Sequence, residues 1–389
     1  MNMKTKHIIF FGYIAASIAL LLFSYTQVDL NLTLSRSSVV QTVEKAFQHV
    51  GYYQRPLAAG MYIGILFLLF ALYGMVLSAV KRNTLNQRDV WRIVFLVAAI
   101  VVFSYPAAFS YDFFNYMFTA KTVLVYHQNP YVVTPLLFSG VDPWTNFMRW
   151  THLTTAYAPL WIGMTLVPYI LGFGYFVPTL FAMKGMVAGW YLLCAWAVGK
   201  VVEKTDAGNA ALGLAVFALN PLILAESLVS AHNDVVLSAF AMLAVWAYVS
   251  KDRWSAWLWL AFSIAAKTVT IVLIPVLLLR RSIHWMVIAM FVVLGLVLLK
   301  REFLPWYWVW IVPFVAVLPI HTKLTRFAAI VSFGLLVSYA PYLYFGEYNA
   351  TEQWWKTACI LAGVALALLS ALLPVSAATA PRRQVPAPR

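Results

Sequence analysis

Long apolar runs recur along the whole chain, and they constrain its fold more than any other feature. Residues 8–25, 59–80 and 357–373 are clear examples. Of the 389 residues, 63% are hydrophobic and 10% are charged, whereas a soluble domain has about a quarter of its residues charged. Because about 20 apolar residues in a helix cross a bilayer, we predict an all-α polytopic membrane protein with about eleven to thirteen spans.

The stretches between the apolar runs are too short for a soluble domain of useful size. We therefore interpret residues 1–374 as one transmembrane domain and the Pro/Ala-rich, basic residues 375–389 as a disordered cytoplasmic tail. The net charge is +14. In membrane proteins, Lys and Arg gather in short cytoplasmic loops and near anionic lipid headgroups. The charge thus indicates membrane lipids, and not nucleic acid, as partners.

One long stretch, residues 110–157, is not apolar enough for a membrane span. The basic start at Lys4 and Lys6 and the basic connector 81–92 both favour the cytoplasmic side. The run 93–109 then delivers residues 110–157 to the outer face. This stretch is dense in aromatic, acidic and turn residues, so we interpret it as an extracytoplasmic catalytic loop.

Asp112 is the candidate catalytic residue of this loop. It follows Tyr111 and precedes Phe113 and Phe114, and a carboxylate in an aromatic, half-dry setting has a raised pKa and can accept a hydroxyl proton. Two other interpretations remain open for it: a solvated loop acid, or the N-cap of a helix over residues 113–125.

A second group of polar residues interrupts the later apolar sequence at Glu226, His232, Asn233 and Asp234. Ionisable residues inside spans are costly and default to a functional role, although Asn233 or Asp234 could instead cap a helix. A histidine with two acids could also bind a divalent ion. No metal-ligand spacing is recognisable, so a metal site is possible but unsupported, and we predict none.

Three basic residues are candidates for holding an anionic headgroup: Lys267, Lys300 and Arg301. Arginine is the better bidentate partner for phosphate, and lysine acts as a point charge. Lys267 could alternatively extend its ammonium to a membrane interface. Trp306 opens an aromatic run, which fits either an interfacial belt or a surface for a sugar ring.

Several short motifs occur together in one order. Those of the first region are Tyr111-Asp112-x-x-x-Tyr116, Gln128-Asn129-Pro130-Tyr131, Asp142-Pro143 and Tyr157-x-Pro159-Leu160. Those of the second region are Asn220-Pro221-Leu222, Glu226 and His232-Asn233-Asp234. In order and spacing the set resembles the GT-C superfamily of polyprenyl-phosphate-sugar-dependent membrane glycosyltransferases. Within it, the chain is most similar to the bacterial polyprenol-phosphomannose-dependent α-mannosyltransferase branch.

The resemblance implies a GT-C fold, with an acidic residue of the first large outer loop, here Asp112, as catalytic base. It also implies a polyprenyl-phosphate sugar as donor substrate, no further cofactor, and a glycan or glycolipid acceptor arriving from outside. The residues that we place at the sugar or acceptor are Tyr111, Tyr116, Asn129, Tyr131, Tyr157, Glu226, His232, Asn233, Asp234 and Trp306.

We therefore expect a multi-pass glycosyltransferase of the plasma (inner) membrane. It would move a sugar, mannose in the branch resembled, to an acceptor hydroxyl by inverting displacement. The alternative is a secondary transporter that uses Asp112, Glu226, His232, Asp234 and Lys267 to relay protons or bind solute. A transporter needs such groups at the bilayer midplane, whereas here they cluster near the predicted outer face, which favours the enzyme.

Overall fold

The computed structural model describes residues 3–374, and in that range every regular element is a helix. The predicted tail, residues 375–389, lies outside the described residues. The α-helices are α1 (Met3–Tyr25), α2 (Ser38–Gln48), α3 (Arg55–Lys81), α4 (Gln87–Val101), α5 (Asp112–Leu124), α6 (Pro159–Leu171), α7 (Phe176–Thr205), α8 (Ala210–Ala218), α9 (Pro221–Leu224), α10 (Asp234–Val249), α11 (Arg253–Ala266), α12 (Leu273–Leu278), α13 (Ile283–Leu298), α14 (Val312–Ala316), α15 (Thr322–Val337), α16 (Ala340–Phe345) and α17 (Ala350–Leu372).

Five helical segments in the described range are long and apolar enough to cross a membrane. They are Thr5–Tyr25, Arg55–Lys81, Phe176–Thr205, Thr322–Phe345 and Ala350–Leu372, and the number rises to 6 if the bent pair Ala207–Ala218 and Pro221–Val229 forms one span. The all-α, polytopic class is therefore confirmed. Further apolar helices have only 10–17 residues. A count of eleven or more requires those short helices to cross as well, so the predicted number of spans stays a prediction.

The helix expected over residues 93–109 ends early. α4 stops at Val101, and a short 3-10 helix, Pro106–Ala108, follows. Tyr105 is extended, with φ −70° and ψ 125°, because the residue before a proline is sterically disfavoured in the helical conformation. The break turns the chain away from the helix axis just before Asp112.

The apolar run 254–279 does not form one continuous helix, because it is broken at Lys267. α11 ends at Ala266, Lys267 itself is extended with φ −164° and ψ 130°, and a 3-10 segment, Thr268–Val272, leads into α12. This 3-10 segment is rich in β-branched residues, which lose side-chain freedom in a helix. The break leaves Lys267 at a junction between helices.

The core of the molecule lies around α7, α8 and α10, whose inward residues are buried. α10 packs against both α7 and α11, and α15 packs against α17. A methyl group on Gly334 of α15 would lie 2.6 Å from the Cα atom of Gly363 in α17. These two helices therefore approach through facing glycines, the close packing that small residues allow between membrane helices.

The long loop after α5 is fixed to that helix by Asp142. The buried Asp142 carboxylate pairs with the Lys121 ammonium at 2.6 Å and accepts hydrogen bonds from the Tyr126 hydroxyl at 2.8 Å and the Trp144 backbone N–H at 2.9 Å. A buried carboxylate with three partners has its desolvation offset. Asp142 therefore has a structural role, in which it holds the loop against the C-terminal end of α5.

Candidate active site

Asp112 is the first residue of α5, and the preceding Tyr111 is its N-cap. No side chain caps this helix, so the interpretation of Asp112 as an N-cap is wrong. The start of a helix carries a partial positive charge that favours an anion there. The side chain of Asp112 is 24% exposed, and Phe113 and Phe114 beside it are buried. Its carboxylate is thus accessible from one side and desolvated on the others.

The surroundings of Asp112 shift its acidity. Burial raises the pKa of the Asp112 carboxyl, and the charge of Asp234 adds to this effect. The neighbouring His232 and Lys267 and a hydrogen bond from Trp150 act in the opposite direction without cancelling it. A carboxylate with a raised pKa is a stronger base than a free aspartate.

His232 lies between two carboxylates. Its Nδ1 atom is 3.9 Å from Asp112 Oδ2, and its Nε2 atom is 3.4 Å from Glu226 Oε2. Among the described residues, neither ring nitrogen has a hydrogen-bond partner, nor does Glu226 Oε2. Buried polar atoms without partners are rare and mark sites that a ligand or water completes. The row Asp112, His232 and Glu226 is therefore the polar centre of the site.

The backbone that carries His232 is irregular on both sides. A π-helix, Ala225–Val229, presents Glu226. Ala231 then has a φ of +53°, a left-handed conformation that a residue with a Cβ adopts at a cost of about 1–3 kcal/mol. π-Helices and left-handed residues both concentrate at functional sites. The strained residue directly precedes His232, whose Nδ1 atom lies 3.9 Å from Asp112.

Glu226 and His232 are each held by an aromatic residue. The Tyr339 hydroxyl donates a hydrogen bond of 2.9 Å to Glu226 Oε1. Trp306 stacks on the imidazole of His232, with ring centroids 4.5 Å apart and an interplanar angle of 23°. Trp306 therefore has a contact inside the site and is more than a residue of an interfacial belt.

A second polar group surrounds Asp234, the buried first residue of α10. The Lys267 ammonium lies 2.6 Å from Asp234 Oδ1, and the Trp310 indole N–H donates to the same oxygen. The Lys267 ammonium also lies 5.3 Å from the centre of the Trp310 ring. The Lys267 side chain is 31% exposed while Asp234 is 1% exposed, so one face of the ammonium remains open.

Tyr116 of α5 and two tyrosines of the loop between α5 and α6 form one wall of the candidate site. Tyr116 packs edge-on against Tyr157, with ring centroids 4.7 Å apart, and lies beside the Asn233 backbone. The Tyr131 hydroxyl donates to the Tyr157 carbonyl at 2.7 Å. Asn129 accepts a hydrogen bond from the Tyr131 backbone N–H, so it closes the turn that presents Tyr131.

Other predicted site residues lie at the edge. Lys300 and Arg301 are exposed beyond the end of α13, and in the described part of the chain their side chains form no ion pair. Tyr111 points to a separate pair in which Arg149 lies 3.1 Å from Asp29. The Tyr111 hydroxyl is 3.3 Å from both carboxylate oxygens of Asp29. Among the described residues, the side chains of Lys300, Arg301 and Tyr111 therefore have no hydrogen bond or ion pair to Asp112, His232 or Glu226.

Lys184 supports the site and was not singled out from the sequence. It lies in α7 and is 1% exposed. Its ammonium donates hydrogen bonds to the carbonyls of Leu228 and Val229 and to the hydroxyl of Ser104, the last at 3.0 Å. A lone lysine within an apolar helix is a signal in its own right, and it could have indicated this residue.

In the chain from residue 3 to 374, no group of three or more His, Cys, Asp or Glu side chains has an arrangement that could hold a metal ion. The residues at the centre of the site also do not fit a metal, because Lys267 neutralises Asp234 and Tyr339 donates to Glu226. The side chains that the described site offers for chemistry are carboxylates, a histidine, a lysine and aromatic rings.

The fold and site define a class: an all-helical, multi-pass membrane protein with a buried acid–histidine–acid row beneath an aromatic loop. Residues 10–282 match the model of the MptA_B family, described as alpha-(1->6)-mannopyranosyltransferase, N-terminal domain. The chain belongs to this family. It is accordingly a glycosyltransferase of the mannosyltransferase type, in agreement with the resemblance to the GT-C mannosyltransferase branch. Searches of curated proteins and of solved structures gave no match.

The Asp234–Lys267 pair gives a prediction of stability. We expect Lys267→Met to destabilise the protein, because it leaves the buried Asp234 charge without its cation. Removing one partner of a fully buried pair costs about 3–5 kcal/mol, and the cost here should be smaller because Lys267 is partly exposed. Thermal unfolding in detergent measures the change.

The double variant Lys267→Met/Asp234→Asn should recover most of that loss, because asparagine carries no charge and can still accept the Trp310 hydrogen bond. Lys204→Met, at an exposed lysine, is the matched control and should have little effect. Equal destabilisation of the single and double variants would contradict the ion pair.

Proposed function

We propose that the protein transfers mannose from a polyprenyl-phosphate-linked donor to a hydroxyl of an extracytoplasmic glycan or glycolipid, with inversion at the anomeric carbon. The observation that carries this proposal is Asp112: an accessible carboxylate of raised pKa, at a helix start, in a chain of a mannosyltransferase family. Because the family is described as an alpha-(1->6)-mannopyranosyltransferase, we propose that the product contains an α-1,6-linked mannose.

In the proposed step, Asp112 accepts the proton of the acceptor hydroxyl while that oxygen attacks the anomeric carbon. The bond between the anomeric carbon and the phosphate oxygen breaks, and its electron pair leaves with polyprenyl phosphate. Phosphate is a good leaving group, so the main remaining requirement is stabilisation of its charge. The proton on Asp112 then lies next to His232 Nδ1, 3.9 Å away.

Lys267 is the proposed partner of the donor phosphate within the site. Its ammonium has three donors, and one of them is engaged by Asp234. Its partial exposure leaves the remaining donors for an oxygen of the donor. Lys300 and Arg301, exposed beyond α13, are proposed to attract the anionic headgroup toward the site from the membrane surface.

The aromatic wall is proposed to hold the two sugars. Tyr116, Tyr131 and Tyr157 form a continuous series of contacts, and Trp306 covers His232. Aromatic faces and hydroxyls together suit a sugar ring and fix the reacting atoms in line. The polar atoms beneath these aromatic rings come from Glu226, His232, Asn233 and Asp234. Tyr111 is proposed to lie at the edge of the site, and Asn129 to hold the turn that presents Tyr131.

Membrane lipids and the lipid-linked sugar are the proposed partners, and the proposal includes no cofactor beyond that donor. We place the protein in the plasma membrane with residues 110–157 outside. The orientation is supported by the basic segments 81–92 and 280–281, which favour the cytoplasmic face.

Asp112→Asn should lower the transfer rate by about 10²–10⁴-fold, the usual contribution of a positioned general base, and leave thermal stability nearly unchanged. Asp252→Asn is the matched control. Asp252 caps α11 through Ser255, and asparagine caps equally well. Radiolabelled or fluorescent lipid-linked sugar gives the rate. Full turnover by Asp112→Asn would remove Asp112 from the mechanism.

The raised pKa of Asp112 predicts a pH dependence. Only the deprotonated carboxylate accepts a proton. We therefore expect kcat/KM to be low at pH values below the pKa of Asp112 and to rise as the pH passes through that pKa. Because burial raises this pKa, the acid limb should lie above about 3.9, the ordinary aspartate value. A limb at or below that value would show that another group controls the rate.

The donor is tested by thermal stability of the purified protein with a panel of polyprenyl-phosphate sugars and the bare lipid phosphate. A ligand that binds only the folded protein raises its melting temperature. We expect the mannosyl donor to stabilise most. Stabilisation by another sugar donor would correct the sugar, and stabilisation by a soluble solute alone would favour a transporter.

A further inference from the structure

A second site is indicated at the other end of α13 from Lys300 and Arg301. A groove of about 660 Å³ lies between α13 and the chain around residues 318–324. Its body is lined by apolar side chains that include Val287, Ile288 and Phe291. At 1.5 Å per helical residue, His284 at the polar end of the groove lies about 21 Å from Leu298 at the other end of α13, and Phe291 lies about 10 Å from it.

The polar end of this groove is basic. His284 and His321 approach each other with their Nε2 atoms 3.3 Å apart, and Lys323 lines the groove beside them. None of the lining residues is acidic. His284, His321 and Lys323 are all exposed. Within the described chain, none of the three forms an ion pair with a carboxylate.

The adjoining residues strengthen the basic character of this end. Arg280 and Arg281 precede α13 and are exposed. Arg326 is not available, because its guanidinium donates to the carbonyls of Ser370 and Leu373. The polar end therefore combines a histidine pair with Lys323, the exposed Arg280 and Arg281 precede it in the chain, and among the described residues none of these five side chains has an ion pair with an acid.

We propose that this groove binds an anionic membrane phospholipid. The phosphate lies at His284, His321 and Lys323, and one acyl chain follows Val287 and Phe291. The argument is charge complementarity: a zwitterionic lipid brings its own cation to a basic site, whereas an anionic lipid brings only the negative charge. A phosphate is attracted to Lys and Arg side chains at a membrane surface, and the groove adds apolar burial for the chain.

The experiment uses the full-length protein, delipidated in detergent, and measures its melting temperature against short-chain phosphatidylglycerol, phosphatidylcholine and inorganic phosphate. We expect phosphatidylglycerol to stabilise the protein at concentrations at least about tenfold lower than phosphatidylcholine. Equal effects of the two lipids would overturn the proposal, since the headgroup would then not be recognised. Equal stabilisation by inorganic phosphate would also overturn it, because the acyl chain would contribute nothing.

Variants locate the site. His321→Gln/Lys323→Gln should weaken the phosphatidylglycerol effect at least about fivefold, while Lys204→Gln, which removes the same lysine charge from an exposed position elsewhere, should not. Equal weakening by the control would show a response to overall charge and overturn the assignment. The lipid-site proposal concerns neither Asp112 nor the lipid-linked donor. It can therefore fail while the proposed transfer reaction holds, and the transfer reaction can fail while the lipid site holds.

Discussion

The candidate site depends on one buried ammonium group. Among the described residues Lys184 has no carboxylate partner, and its three donors are all used by Ser104 and by the carbonyls of Leu228 and Val229. An ammonium buried without such partners would be prohibitively expensive. Ser104 lies eight residues before Asp112, and Val229 lies three residues before His232. Lys184 therefore connects the two chain segments that deliver the acid and the imidazole.

This connection explains how irregular backbone persists in the middle of a membrane protein. The π-helix at Ala225–Val229 leaves carbonyl groups outside the regular helical pattern, and unpaired backbone polar groups are not tolerated in an apolar interior. Lys184 supplies donors to two of these carbonyls. The left-handed Ala231 can then follow, because the segment before it is fixed. The strain at Ala231 and the burial of Lys184 are thus two parts of one arrangement.

The sequence predicted the fold class, and it singled out the candidate site residues, for a physical reason. Apolar runs of membrane length leave few alternatives to helices, and ionisable residues such as Asp112, Glu226 and His232 stand out against them. Their partners were less predictable. The Asp234–Lys267 pair joins residues 33 positions apart, and the contact of Tyr339 with Glu226 joins residues 113 positions apart. Neither follows from local pattern.

Local sequence pattern also does not show which of the predicted residues lie away from the centre of the site. Lys300 and Arg301 have the right chemistry for phosphate, but the direction in which the chain leaves α13 keeps them exposed at the edge. Asp112 fits the sequence motif of a helix cap, yet α5 begins one residue earlier than that role requires. Composition identifies which side chains are unusual, whereas the bends at Pro106, Ala231 and Lys267 decide which of them meet.

The ion pair between Asp234 and Lys267 has a consequence for turnover. For the proposed donor, the phosphate is a diester with one negative charge, and the lipid product is a monoester with a charge of about −1.5 to −2. An unshielded lysine would hold that product more strongly than the substrate and slow its escape. Asp234 offsets part of the Lys267 charge at 2.6 Å. In the proposed reaction the pair would thus limit product inhibition and let the spent lipid return to the membrane.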